Sequence, residues 1–349
     1  MDPTERVPKD FGRLTVNDKT IRLAHGSGGR LTQELIEQVF RRHLGDSLPL
    51  DDSAVLDFPP GRLVFTTDAH VVDPIFFPGG DIGRLAVCGT VNDLAAQAAR
   101  PLYLSAAFVL EEGFSVSDLE RVVQSMRQAA DEAGVRVVTG DTKVVPRGKG
   151  DKVYVTTSGV GVVAPDRRVS GANAQPGDVV LISGTVGDHG MAVISVRSGI
   201  SFETDLVSDV APLNGLVEAL FQAGVQVHAL RDPTRGGVAT TLNEIARQSG
   251  VAIEVDEDAV PLRPEVIGAC ELLGFDPLYV ANEGKMLVLV PAEDAEKALQ
   301  ALRAHPLGRQ AAAIGRVLDE PPGRVYLKTQ IGGRRILDMQ SGEQLPRIC

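Results

Sequence analysis

The last residue of the sequence, Cys349, carries the side chain best suited to covalent chemistry. A thiolate is the strongest nucleophile that a side chain offers near neutral pH, and Arg347 supplies a positive charge nearby. Pro346 restricts the backbone beside them. Residues 340–349 reach up to roughly 33–36 Å when extended. We therefore expect a reactive thiol on a mobile arm, although the neighbouring α-carboxylate disfavours the thiolate and an incidental terminal cysteine is the simpler alternative.

A second group of candidates is acidic and stands beside predicted strands or within a predicted helix. Its members are Asp51, Asp52, Asp68, Asp93 and Asp141, with Asn92 next to one of them. Clustered carboxylates repel one another unless hard cations neutralise them, and Mg²⁺ held by one or two carboxylates plus nucleotide phosphates suits such a set. A single aspartate of this kind is more often a cap or turn residue. Together they predict a metal–nucleotide site.

A glycine-rich loop adds backbone donors to this prediction. Gly26, Ser27, Gly28 and Gly29 form a segment that could offer N–H groups to phosphate. The sequence contains no G-x-x-x-x-G-K-[ST] loop, no G-x-G-x-x-G after a strand and no protein-kinase motif set. If the chain uses ATP, we expect another nucleotide-binding architecture.

The elements that must position these residues alternate between short β-rich runs and amphipathic stretches. In the first half, apolar stripes predict helices over 35–44 and 85–98, and a third helix has Ser117 and Glu120 in capping-box spacing and ends at Gly134. Strands are predicted over 62–67, 102–110, 135–139 and 153–163. The first half is therefore mixed α/β.

A boundary is predicted in 164–177, where proline and glycine interrupt the periodicity. Beyond it, strands are predicted over 179–183, 251–255, 286–290 and 311–317, and helices over 190–197, 212–223, 237–248 and 292–304. Two short strand-like pieces, 325–329 and 334–338, precede the final segment.

Composition excludes several classes of protein. The 349 residues suffice for about two domains, and the net charge of −11, with no basic block, argues against a nucleic-acid partner. Three cysteines without a C-x-x-C pair argue against a disulfide framework or a structural zinc site. No run approaches the ~18 apolar residues of a membrane span, and no signal core is present. A soluble protein of the reducing cytoplasm is expected.

Eight segments carry a family resemblance. They are HGSGG (25–29), DDSAV (51–55), TTDAH (66–70), VNDLA (91–95), GDTKV (140–144), RDPTRGG (231–237), NEGK (282–285) and PRIC (346–349). Together they resemble the HypE family of hydrogenase-maturation proteins, within the PurM-like ATP-dependent superfamily that includes aminoimidazole ribonucleotide (AIR) synthetase. The internal aspartate motifs indicate only the superfamily. The terminal Pro-Arg-Ile-Cys singles out HypE.

The resemblance implies an α/β (α+β sandwich) fold of PurM-like two-domain architecture. Residues 1–163 would form an ATP-binding domain that makes a homodimer through its β-sheet, 164–320 a second domain, and 321–349 an extension ending in the reactive cysteine. ATP and Mg²⁺ are the implied cofactors. The acidic set and the glycine-rich loop would bind them, Asn92 would hold the nucleotide by hydrogen bonds, and Asp232 would either cap a helix or complete the phosphate site.

The implied function is the supply of cyanide ligands for the iron of [NiFe] hydrogenase. A HypF-family carbamoyltransferase would load a carboxamide on Cys349, ATP-dependent dehydration would give a thiocyanate, and a HypC–HypD complex would receive the cyanide. Matching the motifs assigns Glu283 as the base and Lys143 as its charged partner. Without the family, Glu283 would be read as a surface salt bridge to Lys285.

Three alternatives stay open. A selenophosphate synthetase needs a reactive Cys or selenocysteine with a nearby Lys in its glycine-rich segment, and 25–29 has neither. Another small-molecule kinase or synthetase of the superfamily would ignore Cys349. A non-catalytic thiol carrier would accept the carboxamide without turning over ATP. His25 and His70 lack a partner at metal-ligand spacing and are expected to be structural or adjacent to the nucleotide.

Overall fold

The computed structural model describes residues 19–45, 53–198, 206–340, 342 and 347–349. The N-terminal half combines helices with one main sheet. After a 3-10 turn at Leu23–Gly26, its elements are α1 (Arg30–Leu35), a π-helical segment (Ile36–Arg41), α2 (Arg42–Leu44), β1 (Arg62–His70), β2 (Phe76–Phe77), β3 (Gly80–Asp81), α3 (Ile82–Ala96), β4 (Arg100–Glu111), α4 (Val116–Ala133), β5 (Arg136–Val145) and β6 (Val153–Val163).

The main sheet has the strand order β1-β6-β4-β5, in which only β4 and β5 run parallel. Because successive side chains of a strand point to opposite faces, each strand has one buried and one accessible side. The buried side packs against α3 and α4, whose Leu85, Leu119 and Met126 are fully buried. The mixed α/β prediction for this half is confirmed.

The N-cap of helix α4 lies two residues before the predicted one. The hydroxyl of Ser115, rather than that of Ser117, accepts the N–H of Asp118 at 3.3 Å, so the capping-box prediction is wrong. The predicted end is correct, since Gly134 follows the helix with φ +68°. A left-handed residue at this position favours glycine because it has no Cβ.

The C-terminal half is built on a second sheet. Its elements are β7 (Val179–Ile182), α5 (Asp188–Arg197), α6 (Asn214–Gln222), β8 (Ala229–Arg231), α7 (Gly237–Ser249), β9 (Ala252–Asp256), α8 (Pro264–Leu273), β10 (Leu287–Val290), α9 (Ala295–Ala304), β11 (Ala312–Leu318), β12 (Arg324–Lys328) and β13 (Arg334–Ile336), with 3-10 turns at Glu257–Ala259, Pro277–Tyr279, Ala292–Asp294 and Pro306–Gly308. The strand order is β13-β12-β9-β11-β7-β10-β8.

Helices cover both faces of this second sheet. Alternation along β7 sends Val180 and Ile182 to the face covered by α7, and Leu181 to the face covered by α6 and α9. The predicted strands and helices of this half are present. Strand β8 and helix α8 were not predicted, because three residues are too short for a periodic pattern and α8 carries no clear apolar stripe.

Strands β1 and β5 extend further along the chain than predicted. Asp68 and Asp141 fall inside β1 and β5 rather than in turns after them, since both strands continue for several residues. Within the described ranges, no helix combines the length and the apolar composition that crossing a membrane requires.

Candidate functional site

Glu283 lies in the loop before β10 and is held in place through its main chain. Its N–H donates to the carboxylate of Asp209 at 3.0 Å, and its carbonyl accepts from the Asn92 amide at 3.2 Å. The residue is only 3% exposed, and its Oε1 has no hydrogen-bond partner among the described residues. An unpartnered buried carboxyl oxygen is costly, so it is available to a group that enters the site.

The carboxylates around Glu283 perturb one another. Burial raises the pKa of Glu283 well above its ordinary value, and the charges of Asp232, Asp209 and Asp68 raise it further. Burial and the neighbouring Asp93 raise the pKa of Asp232 to about 7. Burial also raises the pKa of Asp93, although the Thr66 hydroxyl donates to its carboxylate at 2.8 Å. Such crowding is typical of a site that binds cations or handles protons.

Basic side chains border this acidic pocket without pairing with Glu283. The charge of Arg235 acts on both Glu283 and Cys349. Lys285 places its Nζ 3.1 Å from Asp209 and 3.9 Å from Asp188. The alternative of a surface ion pair between Glu283 and Lys285 is therefore wrong, because Glu283 is buried and Lys285 is engaged elsewhere.

Cys349 lies near this acidic pocket, since the charges of Glu283, Asp68 and Asp232 act on its thiol. It lines a cavity of about 500 Å³ together with Ala69, Arg235, Thr240 and Tyr279. Burial raises the pKa of its thiol far above the ordinary value, and the Glu283 charge adds to the effect. The Cys349 thiol is thus placed, protonated, near Glu283, the carboxyl group predicted to be catalytic.

The segment that leads to Cys349 is anchored up to Gln340. The Leu337 N–H donates to the Val325 carbonyl at 2.9 Å, and the Gln340 N–H donates to the Thr240 hydroxyl at 3.3 Å. An arm pivoting after Gln340 comprises nine residues, with an extended reach of roughly 30–32 Å. Its mobility stays a prediction.

A second group of predicted site residues lies at β5. Gly26 packs so closely on this strand that a Cβ would lie 2.5 Å from the Val144 nitrogen, which requires glycine there. Ser27, Gly28 and Gly29 continue the same loop into α1. On β5 itself, the Lys143 ammonium pairs with Asp141 at 2.8 Å, and this bond lowers the pKa of Asp141.

Within one chain, the β5 residues Asp141 and Lys143 lie apart from the acidic pocket around Glu283. The register pairs Asp68 with Thr157 on the buried face, whereas Asp141 pairs with Ala107 on the accessible face. Strands β1 and β5 are the two edges of the sheet, three strand spacings or about 14 Å apart. The expectation that Lys143 stands beside the Cys349 sulfur is therefore not met within a single chain.

Asn92 has a different setting from the predicted one. It is 1% exposed; its amide donates to the carbonyls of Ala211 and Glu283, and its oxygen accepts from Leu213 N–H at 2.8 Å. Both amide hydrogens are used within the protein, which corrects the prediction that they hold the nucleotide. Asn92 instead positions the loop that carries Glu283.

Asp232 does not cap α7, whose N-cap is Gly236 without a side-chain bond, so only its placement in the acidic pocket bears on function. Asp51 and Asp52 lie outside the described residues. Among the residues that are described, no three metal-ligating side chains converge on one point. His25 and His70 are both buried; His25 accepts the Arg22 N–H at 2.9 Å, and burial lowers the pKa of His70.

Comparisons with known proteins agree with this geometry. Family models for AIR synthase related protein match residues 50–163 (N-terminal domain) and 175–328 (C-terminal domain). The chain is 55% identical to the carbamoyl dehydratase HypE of Azotobacter vinelandii over 97% of its own length and 100% of the relative. The chain belongs to the HypE family. The AIR synthase-like two-domain fold expected from the motifs is confirmed.

Solved HypE structures extend the comparison. A HypE crystallised with ATP superimposes with a TM-score of 0.91 at 52% identity, covering 94% of this chain and 99% of that one. A HypE–HypF complex gives a TM-score of 0.78 at 49% identity, covering 89% of this chain and 100% of that one. Carbamoyl dehydratase activity and ATP binding are thus properties of named HypE relatives.

Sequence reasoning missed several residues at this site: His189, Asp209 and Arg235. Arg235 lay within a matched motif but was given no role. No sequence pattern distinguishes His189 and Asp209 from ordinary helix and loop residues, because their hydrogen-bond partners at the site are more than 70 residues away in the chain.

Proposed function

We propose that this chain is an ATP-dependent carbamoyl dehydratase whose substrate is a carboxamide carried on the sulfur of Cys349. The observation that carries the proposal is the position of Cys349, in the cavity beside the buried, unpartnered Glu283. A protein that only bound nucleotide would have no need to place a thiol near this carboxyl group.

The chemistry requires two bond changes at the carboxamide. An amide oxygen is a poor leaving group, so transfer of the ATP γ-phosphoryl group to that oxygen precedes its loss as phosphate. Two protons leave the carboxamide nitrogen, one as the oxygen is phosphorylated and one as the C≡N bond forms. The products are the S-cyano cysteine, ADP and phosphate.

Glu283 is the proposed base for the nitrogen protons. Its main chain is fixed by Asp209 and Asn92, so that the carboxyl group has few other positions to adopt. A raised pKa suits a group that accepts a proton near neutral pH. The neighbouring Asp232, with a pKa of about 7, is suited to take part in the same proton exchange.

Mg²⁺ fits the donor set on the inner face of β1 and the adjoining turn of α3. Asp68 and Asp93 act on each other electrostatically and offer hard oxygen ligands. We propose that they hold the ion together with Asp51 and Asp52, which lie outside the described residues. An ion held by these carboxylates would supply positive charge to offset that of the phosphates. The crowded carboxylates explain why a cation is needed at this point.

A homodimer would complete the site. The accessible face of the first sheet exposes large apolar side chains, with Leu63 62% and Phe65 65% exposed, which is typical of an interface. Asp141 and Lys143 lie on that same face. We propose that a second copy packs against it and brings its own Asp141 and Lys143 to the nucleotide and the carboxamide of the first.

Loading is proposed to occur with the arm out of the cavity. The buried thiol is protonated, and a protonated thiol is a poor nucleophile. A HypF-family carbamoyltransferase would therefore meet Cys349 outside the pocket, and a HypC–HypD complex would take the cyanide there for the iron of a [NiFe] hydrogenase. The structure of a HypE with HypF supports the first of these partners.

Intact-mass analysis tests the function. The chain is incubated with a HypF-family carbamoyltransferase and carbamoyl phosphate, and then with Mg-ATP. A carboxamide adduct on Cys349 that loses one water only with ATP supports the proposal. An adduct that persists with ATP identifies a thiol carrier, and ATP turnover that survives deletion of Cys349 identifies another synthetase or kinase.

Mixed dimers test the shared site. Copies with Lys143→Ala and copies with Glu283→Gln, each inactive alone, are unfolded together, refolded and assayed. A site built from both copies predicts recovery in about a quarter of all sites, with the dehydrated mass only on Lys143→Ala chains. If Lys143 serves its own chain, no mixture recovers activity.

A further inference from the structure

The last three described residues, 347–349, which we call the tail strand for its backbone hydrogen bonds, lie beside 71–73, with Arg347 in a left-handed turn at φ +53°. The Val71 N–H donates to the Cys349 main-chain oxygen at 3.0 Å, and the Asp73 N–H donates to the Arg347 carbonyl at 3.1 Å. The Ile348 carbonyl lies between these two acceptors in the chain and receives neither of these hydrogen bonds. It needs a separate donor, because Ile348 is only 3% exposed.

His189 of α5 supplies that donor. Its Nε2 lies 2.8 Å from the Ile348 carbonyl oxygen, and its Nδ1 lies 2.8 Å from the Ser208 hydroxyl. The imidazole is fully buried, with the Phe77 ring edge-on at 5.4 Å. The tail strand is thus held on one side by a β-like segment and on the other by a histidine.

The hydrogen-bond partners determine the protonation state of the ring. A carbonyl oxygen only accepts, so Nε2 carries the hydrogen. Burial lowers the pKa of His189, so the ring is neutral and Nδ1 accepts from the Ser208 hydroxyl. The Ser208 oxygen in turn accepts the Val210 N–H at 3.1 Å, which leaves its own hydrogen directed at the ring.

We propose that His189, oriented by Ser208, is the positioning residue that docks the arm for dehydration. By fixing the peptide between Ile348 and Cys349, it determines how the modified sulfur points relative to Glu283. Both ring nitrogens are engaged in the docked state, so the imidazole acts through the tail strand rather than on the carboxamide. This inference rests on the proposed function, since it takes Cys349 as the carrier of the substrate.

Two measurements on the full chain test the proposal. The first is the rate at which iodoacetamide alkylates Cys349, followed by peptide mapping that separates it from the buried Cys88 and Cys270. The second is single-turnover dehydration of the carboxamide-loaded chain with Mg-ATP. His189→Ala is expected to raise alkylation about three- to tenfold, the effect of one lost hydrogen bond. It is expected to slow dehydration about tenfold or more, while loading, which uses the undocked arm, is at least as fast as in the parent chain.

A matched control separates docking from general loosening. His228 is also buried and hydrogen-bonded, to Asp178 at 2.9 Å, but makes no bond to the tail strand. His228→Ala is expected to lower the melting temperature without changing the alkylation rate of Cys349. Equal acceleration of alkylation in both histidine variants would overturn the proposal.

A milder variant covers the case in which His189→Ala does not fold. Ser208→Ala removes only the hydroxyl that orients the ring, and about a two- to threefold faster alkylation is expected. Parent-like alkylation in the folded variants, or slower dehydration with unchanged alkylation, would overturn the assignment. Because alkylation needs no ATP chemistry, a parent chain that fails to dehydrate refutes the proposed function and not the docking role.

Discussion

Replacement of Glu283 by glutamine is the sharpest test of the proposed chemistry. The side chains are almost the same size, and the main chain at Glu283 is held by Asp209 and Asn92 independently of the carboxyl group. The variant should therefore keep the loop in place and lose only the base. A positioned base contributes 10²–10⁴-fold, or roughly 3–5 kcal/mol of barrier, so dehydration of the loaded chain should slow by that factor.

The same substitution has a defined effect on stability. The pKa of Glu283 is raised in the folded chain, so the unfolded state ionises first as the pH rises. The resulting penalty is absent below the ordinary glutamate pKa and grows with pH until the raised pKa is passed. Glutamine removes this penalty, and the melting temperature of Glu283→Gln should exceed that of the parent chain more at pH 8 than at pH 5.5.

The assay is single-turnover mass analysis of the carboxamide-loaded chain after addition of Mg-ATP. Glu132→Gln is the control, because Glu132 is a half-exposed partner of Arg84 on the surface, and its dehydration rate should be that of the parent. A parent-like rate for Glu283→Gln, in a variant that loads normally, would remove Glu283 from the mechanism. A lower melting temperature at pH 8 would contradict the account of its burial.

Three further outcomes are expected. In Gly284→Ala, the new Cβ would stand 1.7 Å from the Asp209 carbonyl oxygen, so the loop must shift and single-turnover dehydration should fall at least tenfold. Asn92→Ala leaves three backbone groups unpaired at ~1–3 kcal/mol each, and urea titration should show a loss of several kcal/mol. In the docked state the pKa of the Cys349 thiol is raised and the thiol stays protonated. Docking therefore weakens as the pH passes the ordinary thiol pKa, because only the undocked thiol ionises readily. Its alkylation should therefore reach half-maximal rate at a higher pH than that of a peptide of the last ten residues; equal midpoints would contradict docking.

Much of the secondary structure could be predicted, because the signals are local. Runs rich in apolar residues indicated β4, β6 and β10, and Gly134 indicated the end of α4. The misplaced cap at Ser115 shows the limit of such reasoning. Two serines stood within one turn of each other, and only the backbone path into the helix decides which hydroxyl meets the free N–H groups.

The same distinction between local and long-range information applies to the residues of the candidate site. Short motifs were enough to single out Cys349 and Glu283, since their residue types and neighbours carry the family pattern. The role of Asn92 could not be predicted from its motif, because its hydrogen-bond partners lie 119 to 191 residues away. An amide suited to hold a nucleotide is equally suited to hold a loop, and only packing distinguishes the two.

The sequence alone thus determined the family and most of the helices and strands, and it predicted the reacting groups, because these signals depend on residues close together in the chain. The tertiary structure decided which of those groups meet. Strand order and register place Lys143 on the opposite face and edge of the sheet from Asp68, while folding of the second half brings His189 against the tail strand. These contacts depend on long-range pairing, in which a shift of one residue would reverse every face.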